Sequence, residues 1–276
     1  MTEPHLIPRD ALKNVDVAIS VSDSQDLRRL GLTDEHCRLA VAELARGILL
    51  AGGRITYGGN LSPAGFTQIL MDEVHRYGDA RRSLTLCVPD EQHREISQNE
   101  LKKIDKRLGT SAQLILLDGA GEEINLHGDP SPKSASITPA ATLTAMRQFI
   151  TRRTQARVLV GGKLAGYQGT MPGIIEEAGL SLAAAQPLYV AGGFGGAAAA
   201  VASGLGIDDQ AWAPSDFPTG ASETSIQQEI AKLAHCAEKN NATDGLNEAQ
   251  RKQLAATHRA GDIATLVLVG LARTQG

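Results

Sequence analysis

Apolar positions along the chain follow two alternating periods. Short runs rich in β-branched residues recur at 15–21 (VDVAISV), 54–57, 83–88, 114–117, 157–160 and 188–191. Runs of this length and makeup predict strands. Between them, apolar residues return every three or four positions, which predicts helices. Leu39, Ala42, Ile48 and Leu49 mark one over 33–51, with Thr33-Asp34-Glu35 as its start and Gly52-Gly53 as its stop. Phe66, Ile69, Leu70 and Val74 mark a second over 63–77. Further helices are expected over 138–153, 173–184 and an alanine-rich stretch ending near Ser203.

Residues 89–110 are charged and read as a helix with loops, and 119–133 and 208–220, the latter containing Trp212, read as loops. Polar helices are expected near 223–239 and 247–260, covering one side of the domain. The apolar run 263–271 fits a strand or a buried helix, and its β-branched content favours a strand. Strands alternating with helices give a Rossmann-like α/β fold, a mostly parallel sheet with helices on both faces. No repeat, linker or shift in composition divides residues 1–276, which read as one domain.

Composition narrows the chemistry. Of the 276 residues 42% are hydrophobic and only 3% aromatic, so the core is aliphatic and no stacking platform for single-stranded nucleic acid is available. The net charge of −4 attracts no nucleic-acid backbone at long range. Cys37, Cys87 and Cys236 are odd in number and widely spaced, as reduced thiols of a cytoplasmic protein are. The histidines show no metal-ligand spacing, and no metal is expected. The first residues carry no signal-peptide pattern, and no apolar run approaches membrane-spanning length.

Three expected strands end in glycine pairs: Gly58-Gly59, Gly161-Gly162 and Gly192-Gly193. Ligands of open parallel sheets bind outside the carboxyl ends of the strands. Glycine there admits positive φ and clears space, so that amide groups at a following helix start can hold an anion. The longest such stretch is Gly192-Gly193-Phe194-Gly195-Gly196, followed by alanines. Neither the dinucleotide fingerprint nor a phosphate-binding loop ending in Gly-Lys-Ser/Thr is present, since Gly162-Lys163 is followed by Leu164. Each glycine pair is also explained by a tight turn alone.

Other candidates stand beside these turns. Ser22, Asp23 and Ser24 follow the first strand and suit phosphate or ribose, or the capping of a turn. Asn60 suits a base, a ribose or a left-handed turn, and Lys163 suits a phosphate or solvent. Tyr57 and Phe194 suit stacking on adenine or the core. Glu176 and Glu177 project about 100° apart on a helix, so one of the two at most faces a ligand, with Glu176 preferred. Both also favour the helix N-terminus through its dipole.

The segments 157–200 and 51–65 (AGGRITYGGNLSPAG) together resemble the SLOG superfamily, which includes the LOG phosphoribohydrolases and the core of DNA-processing protein A. They resemble in particular prokaryotic SLOG modules found beside TIR or sirtuin effectors in antiphage systems. The resemblance implies a pocket for a nucleotide, held as ligand and not as cofactor, and a homo-oligomer or a separate effector protein as partner. Some relatives sense NAD-derived signals such as cyclic ADP-ribose isomers, and others cleave the N-glycosidic bond of nucleotides. The hydrolases carry P-G-G-x-G-T-x-x-E. Here Ala191, Gly196 and Ala199 stand at the proline, threonine and glutamate positions, which weighs against hydrolysis and for sensing.

Overall fold

The computed structural model describes residues 7–59, 61–62, 65–79, 82–126, 137–207, 214, 220–240 and 243–275. Its centre is a seven-stranded sheet. The strands are β1 (Asp16–Ser22), β2 (Arg54–Gly58), β3 (Leu84–Val88), β4 (Ala112–Leu117), β5 (Glu123–Ile124), β6 (Ala156–Gly161) and β7 (Leu188–Ala191), in the order β5-β4-β3-β2-β1-β6-β7. All pairings are parallel except β4 with β5. The helices are α1 (Asp34–Leu50), α2 (Phe66–Tyr77), α3 (Asp90–Arg94), α4 (Gln98–Leu108), α5 (Pro139–Arg153), α6 (Gly173–Ala183), α7 (Gly196–Gly204), α8 (Ala221–Asn240), α9 (Glu248–Ala256) and α10 (Ala260–Thr274). Among the described residues no helix is long and apolar enough to cross a membrane.

Alternation along each strand sorts the core into two faces. Val17, Ile19, Ile55, Leu84, Leu86, Val158 and Val160 pack with α1, α2 and α10. On the other face Ala18, Cys87, Ile115 and Leu117 pack with α5, and Leu159 and Val190 with α6, α7 and α8. Local chemistry sets the helix starts. Thr33 and His36 form a reciprocal capping box on α1. Thr138 Oγ1 accepts from the Ala141 amide, with Pro139 opening α5. Between helices α1 and α2, Arg46 clamps the buried Glu73 through Nε and Nη2 at 3.0 and 3.2 Å.

Two segments differ from the sequence expectation. Residues 263–271 lie in helix α10, not a strand. Its buried positions Ile263, Val267, Gly270 and Leu271 repeat at helical spacing and lie against α1, where a Cβ at Gly47 would come within 2.6 Å of Leu268 Cδ1. The expected loop at 119–133 contains the two-residue strand β5, and residues 127–133 lie outside the described residues, as do Asn60, Pro63 and Trp212.

Asp16, at the start of β1, is partly buried, and its Oδ1 accepts from Thr56 Oγ1 at 2.8 Å. Desolvation raises its pKa, against the hydrogen bond from Thr56 and the charges of Arg54 and Arg153. A carboxyl whose pKa is raised on folding opposes folding once ionised, so its cost is present at neutral pH and fades as pH falls through the folded value. Asp16→Asn keeps the acceptor without the charge. The variant should melt above wild type at pH 7, with the gap closing towards pH 4; a gap that widens on acidification would contradict this account.

Candidate functional site at the carboxyl edge of the sheet

The chain leaves β1 towards β2 and leaves β6 towards β7, so its crossovers diverge between the adjacent strands β1 and β6. Helix α1, which follows β1, lies on one face, and α6, which follows β6, on the other. Such a reversal opens a crevice at the carboxyl ends of the two strands. A cavity of about 320 Å³ lies there, lined by Ser20, Ser22, Gly58, Leu143, Arg147, Lys163, Tyr167, Gln168, Gly173, Ile174 and Glu177 among others.

Each part of its wall has a local cause. Gly161 adopts φ +61°, and a Cβ there would press within 2.8 Å of the Ser22 carbonyl oxygen. The Gly162 amide then donates to that oxygen at 2.9 Å, joining the two strand ends. Pro172 ends the following loop, and the first turn of α6 brings Gly173 and Ile174 to the cavity. Helix α5 supplies Arg147, whose Nη2 would meet a Cβ at Gly173 within 2.5 Å. Without a Cβ there, the guanidinium lies directly against that turn.

The acidic and basic groups are layered. Glu176 bonds Thr144 Oγ1 at 2.5 Å and pairs with Arg147. Glu177 lines the cavity, with Arg147 Nε at 3.8 Å and Arg157 Nη1 at 3.7 Å from its Oε1. Both separations exceed a hydrogen bond. Arg157, 1% exposed, donates to Ser181, Ser20 and Thr151 hydroxyls at 2.8 Å each. Burial lowers its pKa and the neighbouring Glu177 opposes that shift. Burial raises the pKa of Tyr57, with the charges of Glu177 and Asp23 adding to it. Cys37 and Cys87 are buried, and burial first of all pushes both thiols up to about 12, so they are neutral and inert at physiological pH.

Of the sequence candidates, Ser22, Gly58 and Lys163 line the cavity, while Gly161 and Gly162 hold the ends of β6 and β1 together beside it. The glutamate that lines it is Glu177, while Glu176 is engaged by Thr144 and Arg147. Asp23 is exposed on the loop after β1. A Cβ on Gly59 would collide with the Tyr57 ring. Arg147, Gln168 and Ser20 are additional lining residues that no local motif singles out.

The glycine stretch after β7 departs from the expectation of an open anion site. None of Gly192, Gly193, Phe194, Gly195 or Gly196 lines the crevice cavity. Phe194 is fully buried in the core, which excludes stacking on a ligand in this conformation. Gly195 adopts φ +78°, and a Cβ on it would fall 2.6 Å from Asp26 Oδ2. That carboxylate is itself fully buried and accepts from the Gly196 amide at 2.8 Å, at the first residue of α7. The protein's own anion thus occupies the position where the helix N-terminus favours negative charge. Asp26 is in turn oriented by Ser24, whose Oγ accepts from the Asp26 amide at 3.2 Å.

A doubly wound sheet with its cavity at the strand-order reversal defines a Rossmann-like α/β domain. A family model described as SLOG cluster2 matches residues 11–267, and the chain belongs to the SLOG family. Membership points to a nucleotide-related function. No curated protein matches the chain.

Proposed function

We propose that the protein binds a nucleotide of the NAD or ADP-ribose type, without cleaving it, in the crevice between β1 and β6. The carrying observation is that one cavity combines Lys163, Arg147 and the N-terminus of α6 with the Ser20 and Ser22 hydroxyls and the Glu177 carboxylate. The first group suits a phosphate, and the second suits the hydroxyls of a ribose. Binding in preference to hydrolysis is supported by α7: the position of the hydrolases' glutamate is the buried Ala199, which offers no acid or base. On this reading the chain is a sensor whose bound state passes to a second copy or a separate effector, the antiphage or signalling setting that the SLOG resemblance implies.

Thermal unfolding with AMP, NAD, ADP-ribose and cyclic ADP-ribose isomers tests this, with chromatography of the same mixtures. Ligand at 100 times its Kd should add about 2.7 kcal/mol, and the nucleotide should be recovered intact. Lys163→Glu should weaken binding at least tenfold while leaving the melting temperature without ligand nearly unchanged, because Lys163 is exposed. Release of free base would replace sensing by N-glycosidic hydrolysis, with Glu177 as the carboxylate in reach. No shift with any nucleotide would remove both.

A further inference from the structure

The crevice has a neighbour on the opposite face of the sheet. A second cavity, of about 380 Å³, lies beside the carboxyl end of β3 and is bounded by Leu61, Val88, Ile96 and Ile104 with Gln92 among its lining groups. Glu95, Glu100 and Arg107 also line it. The apolar residues come from the loop after β2, from β3, from the connection between α3 and α4 and from α4, while Gln92 comes from α3. The Gln92 Oε1 atom is buried and has no hydrogen-bond partner. A buried acceptor left unpaired is costly, and a ligand donor relieves that cost.

We infer that this slot is a second subsite of the same ligand, taking a planar nucleobase with a ring amino group, while the sugar and phosphate occupy the crevice. The inference rests on the reading of the crevice proposed above. Leu61 and Val88 with Ile96 and Ile104 offer apolar contact to ring faces, and the Gln92 amide carries the acceptor that a ring amino group needs. Two carboxylates against one guanidinium, Glu95 and Glu100 with Arg107, repel a phosphate and leave the ring as the part that fits.

The two cavities are joined by one loop. Gly58 lines the crevice and Leu61 lines the slot, so the two lie three positions apart, at most about 10–11 Å between Cα atoms. The space beside Gly58 and Gly59 is filled by Met146, Ile150 and the Tyr57 ring, so a shared ligand passes over the carboxyl edge of β2 and not through the glycine pair.

ADP-ribose and ribose 5-phosphate separate the subsites, since the second probe lacks a base. Their dissociation constants are to be measured by calorimetry on wild type, Gln92→Leu, Ile104→Trp and Lys163→Glu. Gln92→Leu removes the unpaired acceptor, and Ile104→Trp fills the slot from a partly exposed helix position. Both should weaken ADP-ribose at least tenfold and leave ribose 5-phosphate within twofold, whereas Lys163→Glu should weaken both probes. In wild type, ADP-ribose but not ribose 5-phosphate should shift the side-chain amide resonance of Gln92, a readout that needs no variant to fold. Unchanged ADP-ribose affinity in both slot variants, or an unmoved Gln92 resonance on saturation, overturns the subsite while the crevice stands. Equal loss of both probes in Gln92→Leu also overturns it, by showing that the slot acts through the fold. Failure of wild type to bind either probe overturns the crevice reading and this subsite together.

Discussion

Arg157→Met should lower the unfolding free energy by about 3–5 kcal/mol, the range for breaking a buried charged network from one side. The guanidinium lies between α5, α6 and β1 and satisfies three hydroxyls at once, those of Thr151, Ser181 and Ser20. A methionine of similar length fills the space but donates nothing. Ser181 still donates to Gln186 Oε1 at 2.7 Å and Thr151 to the Arg147 carbonyl at 2.9 Å, so those two keep part of their bonding. Glu177 fares worse, because its other ion-pair partner among the described residues is Arg147, which also holds Glu176. Arg157→Lys should recover only part of the loss, since an ammonium group does not reproduce a planar fork of donors. Urea unfolding of the three proteins decides it: a loss below about 1 kcal/mol in Arg157→Met would show that the network contributes little.

Gly193→Asp should prevent stable folding, with a loss above about 4 kcal/mol, in the range reserved for gross overpacking and unpaired buried charge. A Cβ at Gly193 would stand 2.8 Å from the Ala256 carbonyl oxygen and closer still to the Thr257 carbonyl. These atoms close the end of α9, where the Thr257 amide donates to Gln253 at 2.9 Å. Aspartate would add a carboxylate beside two carbonyl oxygens with no donor to receive it. The substitution thus acts on the packing of the β7 turn against α9. A folded Gly193→Asp protein that loses nucleotide while keeping its wild-type melting temperature would contradict this, and would return the β7 turn to the binding site.

Elements with clear periods were legible from the sequence, including β1, β6 and β7 and the helices α1, α2, α5 and α6, because their apolar spacing and glycine stops are local. The carboxyl edge where the crevice cavity opens was marked in the sequence by the glycines that end β2 and β6, Gly58 and Gly161. The turn after β7 was open to misreading because its partner is remote. Asp26 reaches Gly196 across 170 positions, and no pattern near either residue announces the other. The preference for Glu176 over Glu177 failed to place the lining residue because helical phase alone does not say which side meets Arg147. The apolar run 263–271 was ambiguous for a different reason. Its valines and leucines suit a strand as well as a helix, and only the close approach of α1 at Gly47 makes the helical spacing decisive.

The bond between Asp26 and Gly196 also bears on the order of events during synthesis. The two residues lie 170 positions apart, and contacts of high sequence separation form slowly because the loop must close before they reward it. A nascent chain that has emerged only as far as β6 has the carboxylate but not the amide that receives it. The loop after β1 therefore reaches its final position only once α7 has left the ribosome, and a chain truncated before residue 196 should leave that loop open to proteases.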